Sequence, residues 1–490
     1  MKTKFPFGAD RLPQWFSENH ATPGDQTGGA KLPLSRAWHA VSRSRLSRGF
    51  APPKTVVHLL LAVVIQYLAT FEPLAAGPTN IQPSLSTNVT LTALIDQALQ
   101  HNPGLQARFH QWQAALTKVP EAKTLPDPKF TYGYFISEVE TRVGPQQHRI
   151  GIAQRFPWFG KLKLRSEAAA HATEAGYENL QAARLEVECD VRKLFHELIY
   201  LDQAIAITDE NVQLLKGLES VAQAKFKAGG EYLGVIKTQV ELSQLADRRS
   251  SLVESRKPWL AKLNASLGRM SDAKFGRLIP VGPTSPKSEL PADRLRQDNP
   301  RLLAVDAAIK AAEADINLAR KEFFPDVTLG LDYIATGAAT AAVAGNGKDP
   351  VIAMFSINIP LWQKKLRAGV KGAKARQKSL ASIRKHLTQT LQAELSAQLF
   401  RFSDAERKIE LYKQTLIPQS EAALKLAEQS YQAGKADFLD MIDAQRALLE
   451  FRLQYQRSRA NREQSLAEID LLTGRKSTHQ ISAAKKDPPE

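Results

Sequence analysis

Gln154-Arg155-Phe156-Pro157-Trp158-Phe159-Gly160-Lys161 is where this chain changes period. Before it, Ile150, Ile152 and Phe156 alternate with Arg149, Gly151, Ala153 and Arg155, the two-residue rhythm of a strand. After it no proline occurs from Lys161 to about Lys227, and some 67 residues rising 1.5 Å each make a helix of about 100 Å. That length exceeds any single globular core, so the helix belongs to a coiled coil or to the wall of a long tube. The proline marks the switch because it lacks an amide donor and restricts the residue before it.

The switch occurs twice. Phe355, Ile357 and Ile359 alternate with Ser356 and Asn358, and Ile359-Pro360-Leu361-Trp362-Gln363-Lys364 then opens a second proline-free run to Ile417. Upstream of each switch lies another strand behind a proline stop. Leu125-Pro126-Asp127-Pro128 precedes Lys129 to Ser137, with Phe130, Tyr132, Tyr134 and Ile136 on one side and a loop from Glu138 to Gln147. Phe324-Pro325-Asp326 precedes Val327, Leu329, Leu331 and Tyr333, which oppose Thr328, Gly330 and Asp332. Further out, Thr90 to about Ala122 reads as one amphipathic helix (Leu91, Leu94, Ile95, Ala98, Leu99) that Thr90 or Thr92 caps, and its counterpart is the alanine-rich run from about Arg301 to Phe323. Downstream, Ala228-Gly229-Gly230 and Ala433-Gly434 end the long helices, and return helices run from about Leu233 to Leu267 and from Phe438 to Leu472.

Each half therefore reads helix, strand, strand, very long helix, turn, returning helix. His101-Asn102-Pro103-Gly104-Leu105 recurs as Asp298-Asn299-Pro300-Arg301-Leu302, and Leu267-Gly268-Arg269 as Leu472-Thr473-Gly474-Arg475. A period of about 200 residues is a tandem duplication, far beyond solenoid periods of about 20 to 50. The expected organisation is a first repeat over 90–269, a linker over 270–290, a second repeat over 291–475 and a disordered tail over 476–490. The fold class is mainly α with a small β part.

Composition narrows the function. The formal charge is +16, but residues Met1 to Val56 carry nine basic and three acidic side chains and the tail after Gly474 four and two, which leaves +8 along the helices without an aromatic-laced basic patch. Nucleic-acid binding is excluded as a reading. No stretch of 18 apolar residues exists, so no helical membrane span is indicated. Val56 to Leu68 is apolar, follows Arg43, Arg45, Arg48 and Lys54, and precedes Pro73-Leu74-Ala75-Ala76-Gly77. This is the layout of a secretory signal with cleavage near Ala76, so 1–76 reads as an N-terminal extension plus signal and 77–89 as a flexible lead-in. No cysteine follows it, which gives no support to lipid attachment. The one cysteine, Cys189, reads as a small buried helix residue. Nothing resembles a nucleophile elbow, a phosphate loop or metal-ligand spacing, and His110, His171 and His196 read as ordinary helix residues. The chain is expected to be neither an enzyme nor a cofactor binder.

The four alternating segments fit membrane β-strands or ordinary half-buried hairpins. Context favours the first. Hairpins some 150 residues of helix apart are not expected to make one sheet with their own neighbours, and four strands cannot close a barrel. Open edges are forbidden in lipid, so copies from other chains are implied, and three give about twelve strands. Tyr132, Tyr134, Ile150, Leu329 and Phe355 would then face outer-membrane lipid, and Arg149, Arg155, Asp332 and Asn358 the water-filled lumen.

From about Leu91 to Arg475 the chain resembles the TolC family of outer-membrane efflux proteins. The resemblance is carried by Asn102-Pro103 and Asn299-Pro300, the Leu-Pro and Phe-Pro stops, the Gln154 to Lys161 junction, Tyr431-Gln432-Ala433-Gly434 and Leu416-Ile417-Pro418, in order and in both halves. It implies a homotrimer with a shared twelve-stranded barrel, continued by a helical barrel across the periplasm to a periplasmic adaptor and an inner-membrane pump. It also places Asp440 and Asp443 at the pore entrance, where three chains would bring six carboxylates into a ring that selects cations, and Tyr431 at a gating position. The first turn departs from the family: Gly234 and Val235 replace a polar and an acidic latch residue, and Ala436 the basic partner. Opening is then expected to depend on packing and on the adaptor. The Phe-Pro-Trp-Phe-Gly-Lys junction looks like branches that serve heavy-metal pumps of the resistance-nodulation type. A type I secretion duct, or a soluble trimeric coiled-coil scaffold with the hairpins as caps, remain as other readings.

Overall fold

The computed structural model describes residues 88–229, 231–280, 282, 299–340, 344–433 and 435–474. The expected signal over 1–76, most of the lead-in, the later part of the linker, the first residues of the second repeat and the tail lie outside them. The elements run β1 (Asn88–Val89), α1 (Leu91–His101), α2 (Pro103–Lys123), β2 (Lys129–Thr141), β3 (Gly144–Phe156), α3 (Lys161–Lys227), α4 (Leu233–Ser266), β4 (Arg277–Leu278), α5 (Pro300–Lys321), β5 (Val327–Thr336), β6 (Val351–Ile357), α6 (Gln363–Leu411), a π-helical turn (Tyr412–Leu416), α7 (Ile417–Gln432) and α8 (Phe438–Leu472).

The single helix expected over Thr90 to Ala122 is two. Asn102 is held extended (φ −65°, ψ 118°) by the proline after it, and its side chain restarts the helix by accepting from Leu105 N at 3.0 Å. Its amide nitrogen also donates to Ser266 O, 2.8 Å away at the end of α4. The second repeat does the same: Asn299 accepts from Arg301 N at 2.9 Å and donates to Leu472 O at 2.8 Å. Each Asn-Pro thus fastens the start of its unit to the end of its returning helix.

The long helix α3 spans the expected 67 residues and stops at Gly229, whose φ of +94° suits only glycine at low cost, with Lys225 and Lys227 on its last turn. It packs against α2, α4, α5 and α8. Val191, Phe195 and Leu198 of its middle are fully buried against Leu94, Leu263 and Leu267, and truncating such a side chain costs about 2–5 kcal/mol. Cys189 is buried on the same helix, which pushes its thiol up to about 12, and burial holds His196 down to about 4. The second long helix carries an irregularity that the first lacks. A π-helical turn over Tyr412–Leu416, in which Ile417 N donates to Tyr412 O, precedes Pro418, and the backbone stays helical through it into α7.

The hairpins depart from expectation most. Glu138 to Gln147 is no loop: β2 and β3 extend to a two-residue turn at Arg142-Val143, with Gly144 at φ +130°. Nor do the hairpins stay apart. β3 pairs antiparallel with β5 from Phe156–Val327 to Gln146–Thr336, giving one sheet in the order β2-β3-β5-β6. The intervening helices explain this, because α4 runs back along α3 and α5 then returns the chain to the sheet, so distance along the sequence is not distance in space. Asn88–Val89 of the lead-in pairs in parallel with Arg277–Leu278 of the linker, so both segments carry ordered strand.

Candidate functional site

The sheet register sorts every strand residue onto one of two faces. Tyr132 opposes Ile150, Ile150 opposes Tyr333, Gln154 opposes Leu329, and Leu329 opposes Phe355. Tyr132, Tyr134, Ile150, Leu329 and Phe355 therefore share one face with Phe130, Ile152 and Leu331. Nothing in the described chain covers it: Phe130, Tyr132, Tyr134, Ile152, Leu331 and Phe355 are each more than half exposed. The edges β2 and β6 also lack strand partners among the described residues.

The opposite face is polar and tightly bonded. Arg149 Nε donates to Asp332 Oδ2 at 2.8 Å, and Asp332 is buried beneath it. Gly151 makes the space: a Cβ there would lie 2.1 Å from Asp332 Oδ1. Arg155 does not join this pair. It donates to Asp326 Oδ2 at 3.0 Å, and Asn358, one residue past β6, accepts through its side-chain oxygen from Asp326 N. Of the four residues assigned to the lumen, two form one ion pair and two converge on Asp326.

Asp326 is the residue that the motifs contained and the sequence reading left without a role. Its carboxylate also accepts from Trp158 N at 3.0 Å and from Lys161 Nζ at 2.8 Å. Lys161, only 1% exposed, directs its ammonium to Phe324 O at 3.1 Å and Glu322 Oε2 at 3.3 Å as well, which satisfies all three protons. Trp158 stacks on Phe324 at 5.5 Å. This buried knot locks the first-repeat junction to the second-repeat strand at the point where sheet becomes helix. The retrievable signal was the recurrence of Pro-Asp before the first strand and of Lys four residues after the switch proline.

The other end of the long helices carries the remaining residues. There α3, α4, α7 and α8 share one core that includes Leu218, Val235, Leu424, Tyr431, Phe438 and Ile442. Tyr431 is buried, edge-on to Phe438 at 5.3 Å, with the Lys225 ammonium 3.9 Å above its ring. Burial, and then the nearby Asp437 carboxylate, push its hydroxyl pKa above the usual tyrosine range. Gly234 packs against Phe438, close enough that a Cβ would stand 3.3 Å from the ring. Asp437 caps α8, and Asp440 returns the favour by accepting from Asp437 N at 3.3 Å, a capping box. Asp440 and Asp443 are both exposed, and Asp443 lies 3.2 Å from Arg446. Arg446 also bonds Glu241 of α4, which raises its pKa, so a polar tie between the return helices does exist, about two to three turns from the position where the sequence pattern would put it. Among the described residues no group of His, Cys, Asp and Glu could hold a metal ion, and no helix is long and apolar enough to cross a membrane.

The sequence pattern of the outer membrane efflux protein family matches residues 94–269 and 292–475. The cobalt-zinc-cadmium resistance protein CzcC of Cupriavidus metallidurans is 26% identical over 82% of this chain and 91% of its own. The outer membrane protein OprJ of Pseudomonas aeruginosa is 22% identical over 74% of this chain and 79% of its own. Among solved structures the outer-membrane channel OprN superposes with a TM-score of 0.70 at 18% identity, over 79% of this chain and 90% of that one.

Proposed function

Because the chain belongs to the outer membrane efflux protein family, an outer-membrane channel family without catalytic activity, we propose that three copies assemble into a passive exit duct for divalent heavy-metal cations. A periplasmic adaptor and an inner-membrane pump of the resistance-nodulation type deliver the cargo. The observation that carries the reading is the uncovered apolar face of the sheet. A soluble scaffold would bury Phe130, Tyr132, Leu331 and Phe355 under another layer, whereas lipid requires them outside. Phe159, Leu361 and Trp362, each more than two thirds exposed at the strand–helix junction, suit the headgroup level beneath. Four strands per chain close only with copies, and three give about twelve, a workable barrel.

Arg149 and Asp332 then line the lumen, and Arg155 and Asn358 brace its periplasmic rim. At the far end Asp440 and Asp443 of three chains gather six exposed carboxylates, which concentrate cations by focusing the field rather than by ligation. The heavy-metal cargo is supported by the likeness to a cobalt-zinc-cadmium resistance protein.

In planar bilayers the wild-type pore is expected to be cation-selective, and Asp440→Asn with Asp443→Asn to move the reversal potential toward zero. An unchanged reversal potential removes the carboxylate ring from the proposal. Removing the gene should raise sensitivity to cobalt, zinc or cadmium, and unaltered growth in all three would end the cargo assignment. Recovery of the chain wholly in the soluble fraction would end the duct itself.

A further inference from the structure

The two hairpins obey one duplication rule. Phe130 pairs with Ile152 in the first, and Leu329 with Phe355 in the second, so first strands are offset by 199 residues and second strands by 203. The same offsets carry the buried knot across. Lys161 maps to Lys364 and Asp326 to Asp127, and both residue types are kept. The seam that joins β3 to β5 unites the second strand of repeat one with the first strand of repeat two. Its symmetry mate would unite the second strand of repeat two with the first strand of repeat one, and those are β6 and β2, the two free edges.

We infer that each free edge is half of a second such seam, completed by another copy of this chain: β6 of one protomer pairs antiparallel with β2 of the next, Ser356 lies opposite Thr131, and Lys364 enters the neighbour's junction to meet Asp127. This rests on the assembly proposed above and specifies its register and its buried contact.

Four observations on the single chain support it. First, the transferred register keeps the faces matched. Ala153–Gly330 becomes Ser356–Thr131 on the polar face, and Ile152–Leu331 becomes Phe355–Tyr132 on the apolar one. Second, the unfilled half-sites are open. Lys161 is 1% exposed with three acceptors, whereas Lys364 and Asp127 are exposed and make no ion pair or side-chain hydrogen bond among the described residues. Third, the backbone of the open junction turns on itself. Trp158 N donates to the Asp326 carboxylate, but its counterpart Leu361 N bends back to Ile359 O at 2.9 Å, a tight turn that an incoming carboxylate would replace. Fourth, the helices beside the seam show the same deficit. α5 lies between α3 and α6 and buries seven residues, while its counterpart α2 packs chiefly on α3 and buries Leu105 alone.

The two seams differ in one respect. Arg149 and Asp332 map to Ile352 and Gly133, so the lumen charge pair belongs to the intrachain seam alone, and between chains the junction pair carries the polar specificity.

The test is a cysteine ladder in the full chain with Cys189→Ala. Residues directly opposite on antiparallel strands lie about 4.5–5.5 Å apart at Cα, within disulfide reach, and a shift of two residues adds about 7 Å. Oxidation of Thr131→Cys/Ser356→Cys in outer-membrane vesicles should give covalent dimers and trimers on non-reducing denaturing gels, and Thr131→Cys/Met354→Cys should not. In the Thr131→Cys/Ser356→Cys background, Lys364→Asp should lower the cross-linked yield on the order of tenfold, and adding Asp127→Lys should restore it. If native mass shows three copies but only the displaced pair cross-links, or neither pair does, the register is wrong while the trimer stands. A ladder that Lys364→Asp leaves intact, or that the double swap fails to rescue, overturns the junction contact. A chain that is monomeric by native mass overturns the trimer and the seam together.

Discussion

The strand–helix junction and the far turn of the same helices handle charge in opposite ways. At the junction Lys161 and Asp326 are buried, and every proton of the ammonium has an acceptor. At the turn Asp440, Asp443 and Arg446 sit in solvent, and the exposed cation is shared between exposed Asp443 and buried Glu241. Buried charge that loses its partner is strongly penalised, whereas exposed pairs contribute little and are screened by salt. One end is therefore built to hold a single geometry and the other to rearrange cheaply, which suits a duct that is anchored at one end and opens at the other.

The comparison breaks most directly at Lys161. Replacement by Met leaves Asp326 buried without its ammonium and should destabilise the chain by about 3–5 kcal/mol, read as a lower unfolding midpoint in detergent, and a midpoint within error of wild type would contradict a fixed junction. Next is Gly151→Val, whose side chain must displace the buried Asp332. A loss of about 1–3 kcal/mol is expected, with Gly217→Ala, which has open space on an exposed helix face, as the control that should not destabilise; equal effects would mean that the Arg149–Asp332 pair is not held tightly. Asn299→Ala removes a cap and the bond to Leu472 O, for about 1–2 kcal/mol. Asn102→Ala should cost less, because Asn299 is 2% exposed and Asn102 is half-buried; the reverse order would show that the clamps are not equivalent. The smallest stability effect is expected at the turn. Glu241 is itself buried, but Gln keeps its shape without the buried charge, and the exposed Arg446 keeps Asp443, so Glu241→Gln should change stability by no more than about 1 kcal/mol yet raise open-channel conductance, more at low salt than at high. A large fall in stability without a change in conductance would assign this end to structure as well.

The long helices were the legible part. Lys161, Lys227, Leu233, Phe438 and Leu472 fall at or within a residue of the observed ends, because the absence of proline and the presence of glycine act locally. Which residues share a sheet face was also readable, since period two fixes it once a strand is identified. Three features were not readable, and each depends on partners remote in sequence. The pairing of β3 with β5 is set by helices that return the chain. The break at Asn102 is stabilised by a carbonyl of α4. The role of Asp326 emerges only when Arg155, Trp158, Lys161 and Asn358 converge on it. At the turn, the sequence singled out Gly234, Val235 and Ala436, but the tie between the return helices through Glu241 and Arg446 lies farther along them, beyond the reach of a motif comparison.

The asparagine clamps also bear on how such a chain could arise. A unit whose last helical turn is hydrogen-bonded to its first cap hands the polypeptide on from the place where it began. A copied gene segment appended there needs only a modest tether to set the new unit beside the old one, pointing the same way. In the proposed trimer, fusion of two ancestral subunits into one chain would then leave the ring's geometry intact while halving the number of chains that must find one another.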